Sequence, residues 1–158
     1  IVPSNDEAFV RTVMKQLSGL SDDYVLEVFG MPTWINFDLI PAAQFDTTAT
    51  HVTRSYWIDK KALPALAFLN AYQKKYKINP TEYSVRGFDQ MMFFGNLLLK
   101  DGKDLEKGFK KNDKNELAER FLIQPVDTTL DNHSILYYEN KSVYMLKYED
   151  GKLVKVND

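Results

Sequence analysis

The chain has no cysteine, only two histidines and no long apolar run, and each absence removes a class of protein. Without cysteine there is no disulfide framework and no thiol chemistry. His51 and His133 have no second histidine or cysteine at ligand spacing, so no metal site is expected. No apolar segment reaches the roughly 18 residues that span a bilayer, and no signal peptide opens the chain. The protein is then either cytosolic or has its targeting segment outside this sequence. The start at Ile1, inside an apparent strand, indicates a truncated sequence.

An excess of either charge is also missing, because 20 basic residues are balanced by 22 acidic ones. A net charge of -2 gives no field that attracts nucleic acid, so no nucleic-acid partner is expected. No glycine-rich phosphate loop follows a predicted strand, and neither Ser4 nor Ser55 has the small neighbours and histidine base of a serine nucleophile. We therefore expect a protein that is not an enzyme and carries no cofactor.

What the chain does have is a segment rich in regularly spaced apolar residues, 81–102. Its apolar residues recur at three- and four-residue spacing, which predicts a helix from about Glu82 to about Lys100, with Thr81 before it and Gly102 as its stop. Apolar residues cover more than half of its circumference, so we expect it to be buried between other elements. With 158 residues and 44% hydrophobic content, the chain fits one domain, residues 1–158.

Strands and helices are predicted to alternate before this helix. Ser4 is the expected helix N-cap, with Glu7 completing a capping box, after a first short strand. Three strand-to-helix steps predict an α/β fold of three layers, α/β/α, with a mainly parallel sheet. Residues 1–102 would form these units, 103–120 a helical connection, and 121–158 an antiparallel β appendage with a hairpin turn at Asp150–Gly151. The three predicted parallel strands are residues 1–2, 24–29 and 48–57.

The carboxyl ends of parallel strands share one edge, where such sheets bind ligands. That edge would present hydroxyl, amide and ring groups with few charges: Ser4, Asn5, Thr33, Trp34, Tyr56 and Trp57. We take the first five as candidate ligand-binding residues and expect Trp34 to be partly exposed and close to Ser4. The alternative is that Ser4 and Asn5 only cap a helix and that both tryptophans are core residues.

These elements, read as strand-PSN-helix, strand-FGMPTW-helix and strand-SYWID-helix, resemble the second lobe of type I periplasmic binding proteins. This is the leucine/isoleucine/valine-binding and receptor ligand-binding family. Its motif before the long helix appears here as Pro80, Tyr83, Gly87, Phe88 and Asp89, with Phe88 in place of the usual tyrosine. The segments FGMPTWINFD and MLKYEDGKLVKV are similar to a branch of envelope proteins in which such a module follows peptidoglycan-binding LysM repeats.

The resemblance implies two α/β lobes with ligand between them, so a missing N-terminal lobe is an expected partner. It implies an extracytoplasmic, non-catalytic protein that binds a small molecule or an envelope component; a homo-oligomer stays open. The family's amino-acid binders have an acid in the second loop where Pro32 or Thr33 stands here, so free branched amino acids are not expected to bind. Gly87 would pack closely against a strand, and Asp89 would serve the structure. A structural or protein-interaction module is the alternative, and an enzyme of flavodoxin-like topology is a third hypothesis.

Overall fold

The structure, a computed structural model, describes residues 1–109, 114–127 and 135–156. It is a mixed α/β protein whose contacts divide it into two compact units. Unit 1 comprises Ile1–Arg54 and Tyr144–Asp158, and unit 2 comprises Ser55–Val143. The helices are α1 (Glu7–Ser18), a 3-10 helix (Pro32–Asn36), α2 (Ala42–Thr47), α3 (Leu63–Tyr76), α4 (Glu82–Asp101) and α5 (Leu105–Phe109). The strands are β1 (His51–Arg54), β2 (Lys114–Asn115), β3 (Arg120–Phe121), β4 (Ile123–Asp127), β5 (Ile135–Asn140), β6 (Tyr144–Glu149) and β7 (Lys152–Lys155).

Unit 1 is built on an antiparallel sheet with the order β1-β6-β7. Val52 of β1 lies opposite Leu146 of β6, and both side chains are buried. The predicted turn at Asp150–Gly151 joins β6 to β7, and both of its residues have left-handed backbone angles, with φ of 52° and 70°. The antiparallel tail predicted at this end of the chain is therefore confirmed for β6 and β7.

The expected mainly parallel sheet was wrong, because all three sheets among the described residues are antiparallel. Parallel pairing is limited to one bridge between Phe29 and His51, with hydrogen bonds from Gly30 N to His51 O (2.9 Å) and from His51 N to Val28 O (2.7 Å). The predicted strand at residues 24–29 does not form a ladder because it begins in a turn, where Tyr24 N donates to Leu20 O (3.0 Å). Only Val28 of this segment is buried.

The start of α1 also differs from its prediction, since Asp6 and not Ser4 is the N-cap. The Asp6 carboxylate accepts from Ala8 N (2.9 Å) and Phe9 N (3.1 Å), and a carboxylate there also complements the helix dipole. The Ser4 hydroxyl accepts from Asp6 N instead (3.2 Å). Glu7 forms no capping box, because its carboxylate accepts from Leu39 N (2.6 Å).

Unit 2 contains α3, α4 and α5 with two small antiparallel sheets, β2-β3 and β4-β5. The predicted bounds of α4 are confirmed: the Thr81 side chain accepts from Ser84 N (3.3 Å), and Gly102 ends the helix with φ of 60°. The centre of this unit is the stacked pair Phe93 and Phe121, whose ring centroids lie 4.2 Å apart. The expected helical connection over 103–120 is α5 followed by β2 and the start of β3.

The expectation that α4 is buried between other elements was wrong. The helix buries one row of residues at four-residue spacing, Val85, Asp89, Phe93 and Leu97. Large apolar residues on other faces remain exposed, and Gly87 has no atom within 4 Å of the position of an added Cβ, so it does not pack closely against a strand. An apolar composition therefore overestimates burial here. His133 lies outside the described residues.

Candidate functional site

Two turns of unit 1 meet at one edge, and they carry four of the five predicted site residues. Backbone hydrogen bonds from Val2 N to Phe29 O (2.9 Å) and from Gly30 N to His51 O (2.9 Å) hold three chain segments side by side. Beyond their ends, the Thr33 hydroxyl donates to Asn5 Oδ1 (2.6 Å). The Trp34 indole N–H donates to the Ser4 carbonyl oxygen (2.8 Å). We call this group, Ser4, Asn5, Thr33 and Trp34, the rim.

Trp34 is the floor of the rim and a core residue of unit 1. Its ring is fully buried and stacks with Phe37 and Phe45 at centroid distances of 6.3 and 6.1 Å. Gly30 makes this packing feasible, since an added Cβ would lie 2.2 Å from Trp34 Cε3. The predicted proximity to Ser4 is confirmed, and the predicted partial exposure of Trp34 was wrong. The indole N–H explains both results, because its bond to Ser4 satisfies the one polar group that burial would otherwise leave unpaired.

The accessible part of the rim is neutral and polar. Asn5 and Thr33 are exposed, and Ser4 is half-buried. Because Asn5 Oδ1 already accepts from Thr33, the pair offers the amide N–H donors of Asn5 and the remaining lone pairs of the Thr33 hydroxyl. The two nearby carboxylates, Asp6 and Glu7, accept backbone N–H groups of their own unit. The arrangement therefore suits an uncharged hydrogen-bonding ligand better than an ammonium group.

Tyr56, the fifth predicted residue, lies in unit 2. Its hydroxyl donates to Glu82, and the Arg86 guanidinium carbon lies 5.5 Å from the centroid of its ring. Arg86 also forms ion pairs with Glu82 (3.2 Å) and with the buried Glu119 (2.8 Å). The hydrogen bond to Glu119, with its charge, raises the pKa of Arg86 against the opposing effect of burial. Tyr56 is thus part of a bonded network within its unit, and its ligand role stays a prediction.

A buried carboxylate beside this network is the most constrained polar group of unit 2. Asp89 is fully buried and accepts three backbone N–H groups, from Leu117 (3.0 Å), Ala118 (2.7 Å) and Glu119 (2.9 Å). Burial raises the pKa of Asp89, while these three donors lower it. Three of its roughly four acceptor positions are used by the chain itself, so Asp89 fastens the 117–119 turn to α4, in agreement with its expected structural role. The sequence signal was a carboxylate on the apolar side of a helix, which requires a partner.

Within the part of the chain that the structure describes, no group of three or more histidine, cysteine or acidic residues is placed to hold a metal ion. Among the described residues, no helix combines the length and apolar character that crossing a membrane requires.

No family model matches this chain, and no curated protein does. Among solved structures, the chain is similar to one assigned as a branched-chain amino acid ABC transporter from Rhodospirillum rubrum, with a TM-score of 0.51 and 12% identity over 95% of this chain. A leucine complex of an ABC transporter substrate-binding protein from Desulfitobacterium hafniense gives a TM-score of 0.44 and 14% identity over 94% of this chain. The chain spans 42% and 41% of these two proteins. At 12% identity the first similarity shows a shared fold and no more.

Proposed function

We propose that the chain is one lobe of a non-catalytic ligand-binding protein of the type I periplasmic binding class and that the rim faces the ligand. The observation that carries this proposal is the bond between Thr33 and Asn5, residues 28 positions apart that meet at 2.6 Å on one exposed edge. Small-ligand pockets rely on a few convergent polar groups, and this pair supplies such groups where three neighbouring segments end.

The ligand we propose is uncharged and polar, or larger than an amino acid. The structural neighbour from Rhodospirillum rubrum is assigned to branched-chain amino acids, whose ammonium group requires an acceptor of negative charge. Pro32 and Thr33 supply no carboxylate in the second turn, and Asp6 and Glu7 are bonded to backbone N–H groups. Free leucine should therefore bind weakly or not at all.

A second lobe is part of the proposal, because the aligned region takes in 95% of this chain but only 42% of the neighbour from Rhodospirillum rubrum. Binding proteins of this class close two lobes on a ligand, and the rim would supply one wall. We place the protein outside the cytoplasm, as a receptor-like or cell-wall-associated protein of the envelope, with Tyr56 as a further candidate contact. The similarity of FGMPTWINFD to proteins with LysM repeats suggests fragments of peptidoglycan as the first ligands to test.

A structural or protein-interaction module is the second candidate. It is favoured by the complete burial of Trp34, whose ring and N–H are both used within unit 1 and are therefore not available to a ligand. Such a module would keep the fold and have no small-molecule affinity.

The test is calorimetric titration of the protein that bears both lobes, with soluble peptidoglycan fragments, neutral oligosaccharides and free leucine. The proposal expects saturable binding to an uncharged ligand that Asn5→Ala or Thr33→Ala weakens at least tenfold. The matched control is Thr12→Ala, which removes an exposed hydroxyl that donates only to Ala8 O within α1 (3.0 Å). Leucine binding at micromolar affinity would contradict the neutral rim. No binding of any ligand, together with intact folding, would favour the structural module.

A further inference from the structure

One side of α4 is an apolar surface that the described part of unit 2 leaves largely uncovered. Tyr83, Met91 and Leu99 are 79, 75 and 87% exposed, and Met92 and Leu98 are exposed beside them, together with Phe88, whose ring also contacts Phe68 of α3 (centroids 4.8 Å apart). None of these six residues is charged. A solvated helix would have lysine or glutamate on such a face. The charged residues of α4 are instead Glu82, Lys100 and Asp101 at its ends, together with Arg86 and Asp89.

The area of this surface is close to that of a specific interface. If a large apolar side chain presents about 200 Å², the exposed fractions of the six residues amount to roughly 700 Å². Monomeric proteins rarely leave contiguous apolar patches beyond a few hundred Å², whereas a standard interface takes about 800 Å² from each partner. The surface is therefore large enough to be one side of a stable complex.

Large side chains and glycines alternate regularly on this surface. Tyr83, Gly87, Met91, Gly95 and Leu99 follow one another at four-residue spacing, so they form a single row along the helix. Large side chains alternate in this row with glycines, and at both glycines an added Cβ would have no atom within 4 Å. The row therefore presents three protruding side chains, the knobs, with two open positions at the glycines, the gaps, between them.

We propose that this row binds the same row of a second copy of the chain, with the two α4 helices antiparallel. With the two-fold axis midway between positions 91 and 95, Met91 of each copy lies over Gly95 of the other, and Leu99 lies over Gly87. Met91 and Leu99 of each copy then fill the two gaps of the other, whereas Tyr83 lies beyond the paired positions, and each gap allows the helices to approach closely. The contact is self-complementary, as a two-fold interface requires, because every pair occurs twice.

The pattern itself selects a second copy over another partner. A different protein would need its own alternating row, whereas the chain already has knobs and gaps in equal spacing on one face. No charge on the row opposes self-association. The proposal is independent of any ligand at the rim, since the row and the rim lie in different units.

The first experiment measures self-association by sedimentation equilibrium over a range of concentrations, with Gly95→Leu as the variant. A dimer of about micromolar affinity is expected for the wild type. Gly95→Leu fills an open position with a better helix former, so the melting temperature should not fall, while the dissociation constant should rise at least tenfold. Gln90→Leu, which adds the same side chain at an exposed position off the row, is the control and should dimerise as the wild type does.

The second experiment tests the register, and it uses the absence of natural cysteine. When Met91→Cys and Gly95→Cys proteins are mixed under oxidising conditions, the mixed disulfide should form faster than either homodimer. If Gly95→Leu proves unstable, Met91→Gln replaces it as the test variant. This change at an exposed position leaves the fold intact and should weaken association. A wild-type chain that is monomeric throughout, a Gly95→Leu protein that dimerises normally, or a homodimeric disulfide that forms fastest would each overturn the proposal.

Discussion

Replacing Asp89 tests the most constrained contact of unit 2. Its two carboxylate oxygens accept three backbone N–H groups, of which those of Ala118 and Glu119 are buried and that of Leu117 is partly buried. Trp57 N donates to Ala118 O (2.8 Å), so the same turn also holds the chain segment before α3. Loss of the carboxylate should therefore release a turn that connects several parts of the unit.

The magnitude follows from the number of donors. A hydrogen bond to a charged group contributes about 1.5–3 kcal/mol, and a buried N–H without a partner costs about 1–3 kcal/mol. Asp89→Ala leaves three such donors and should lower the free energy of unfolding by about 4–5 kcal/mol. Asp89→Asn keeps one oxygen for Ala118 and Glu119 but turns an amide N–H₂ group toward Leu117 N, so its cost should be smaller, about 2 kcal/mol.

Urea unfolding followed by circular dichroism measures both losses, with Gln90→Ala as the neighbouring exposed control, expected within about 0.5 kcal/mol of the wild type. Amide hydrogen exchange locates the effect, because only Leu117, Ala118 and Glu119 should lose protection at low denaturant in Asp89→Asn. If Asp89→Ala costs less than about 1 kcal/mol, or if these amides exchange freely in the wild type, the carboxylate does not hold the turn.

Trp34→Ala should cost about 3–5 kcal/mol of unfolding free energy, because the ring is fully buried, and a loss under about 1 kcal/mol in urea unfolding would show that the rim has no packed floor. Burial, with a smaller effect of the Asp46 carboxylate, raises the pKa of Tyr148. The unfolded chain therefore loses that proton first, so stability should fall as pH rises above about 10, and Tyr148→Phe should reduce this fall, as measured by urea midpoints across pH. If residues 1–158 form one cooperative domain, thermal unfolding of Trp57→Phe should give the same midpoint by Trp34 fluorescence as by circular dichroism, and two separate midpoints would contradict it.

The long helix and the tail hairpin were predictable because their signals are local. Thr81 and Gly102 set the ends of α4 through contacts with adjacent turns, and Asp150–Gly151 adopts the left-handed angles that such a turn requires. The N-cap was missed by two residues because Ser4 and Asp6 compete for the same role, and only the carboxylate reaches two N–H groups.

Burial was less predictable than position. The proximity of Trp34 to Ser4 followed from chain order, but its burial depended on the absence of a side chain at Gly30. The apolar α4 was expected to be covered on most sides, yet a single row is buried. Apolar composition alone does not separate a face that packs within a unit from one available to another molecule. The prediction of a parallel sheet was wrong for a similar reason, since it counted Tyr24 and Val25 as buried strand residues although both are exposed.

Ligand binding at the rim can be followed at the indole N–H groups. The chain has two tryptophans, Trp34 bonded to Ser4 in unit 1 and Trp57 in unit 2, so a ¹⁵N NMR spectrum contains one indole reporter at the rim and one beside Tyr56. During titration of the protein that bears both proposed lobes with an uncharged ligand found by calorimetry, the Trp34 indole signal should shift and saturate at the calorimetric affinity, and the Trp57 signal should move with it only if Tyr56 also contacts the ligand. A saturating shift of the Trp57 signal with Trp34 unchanged would place the ligand elsewhere and contradict binding at the rim.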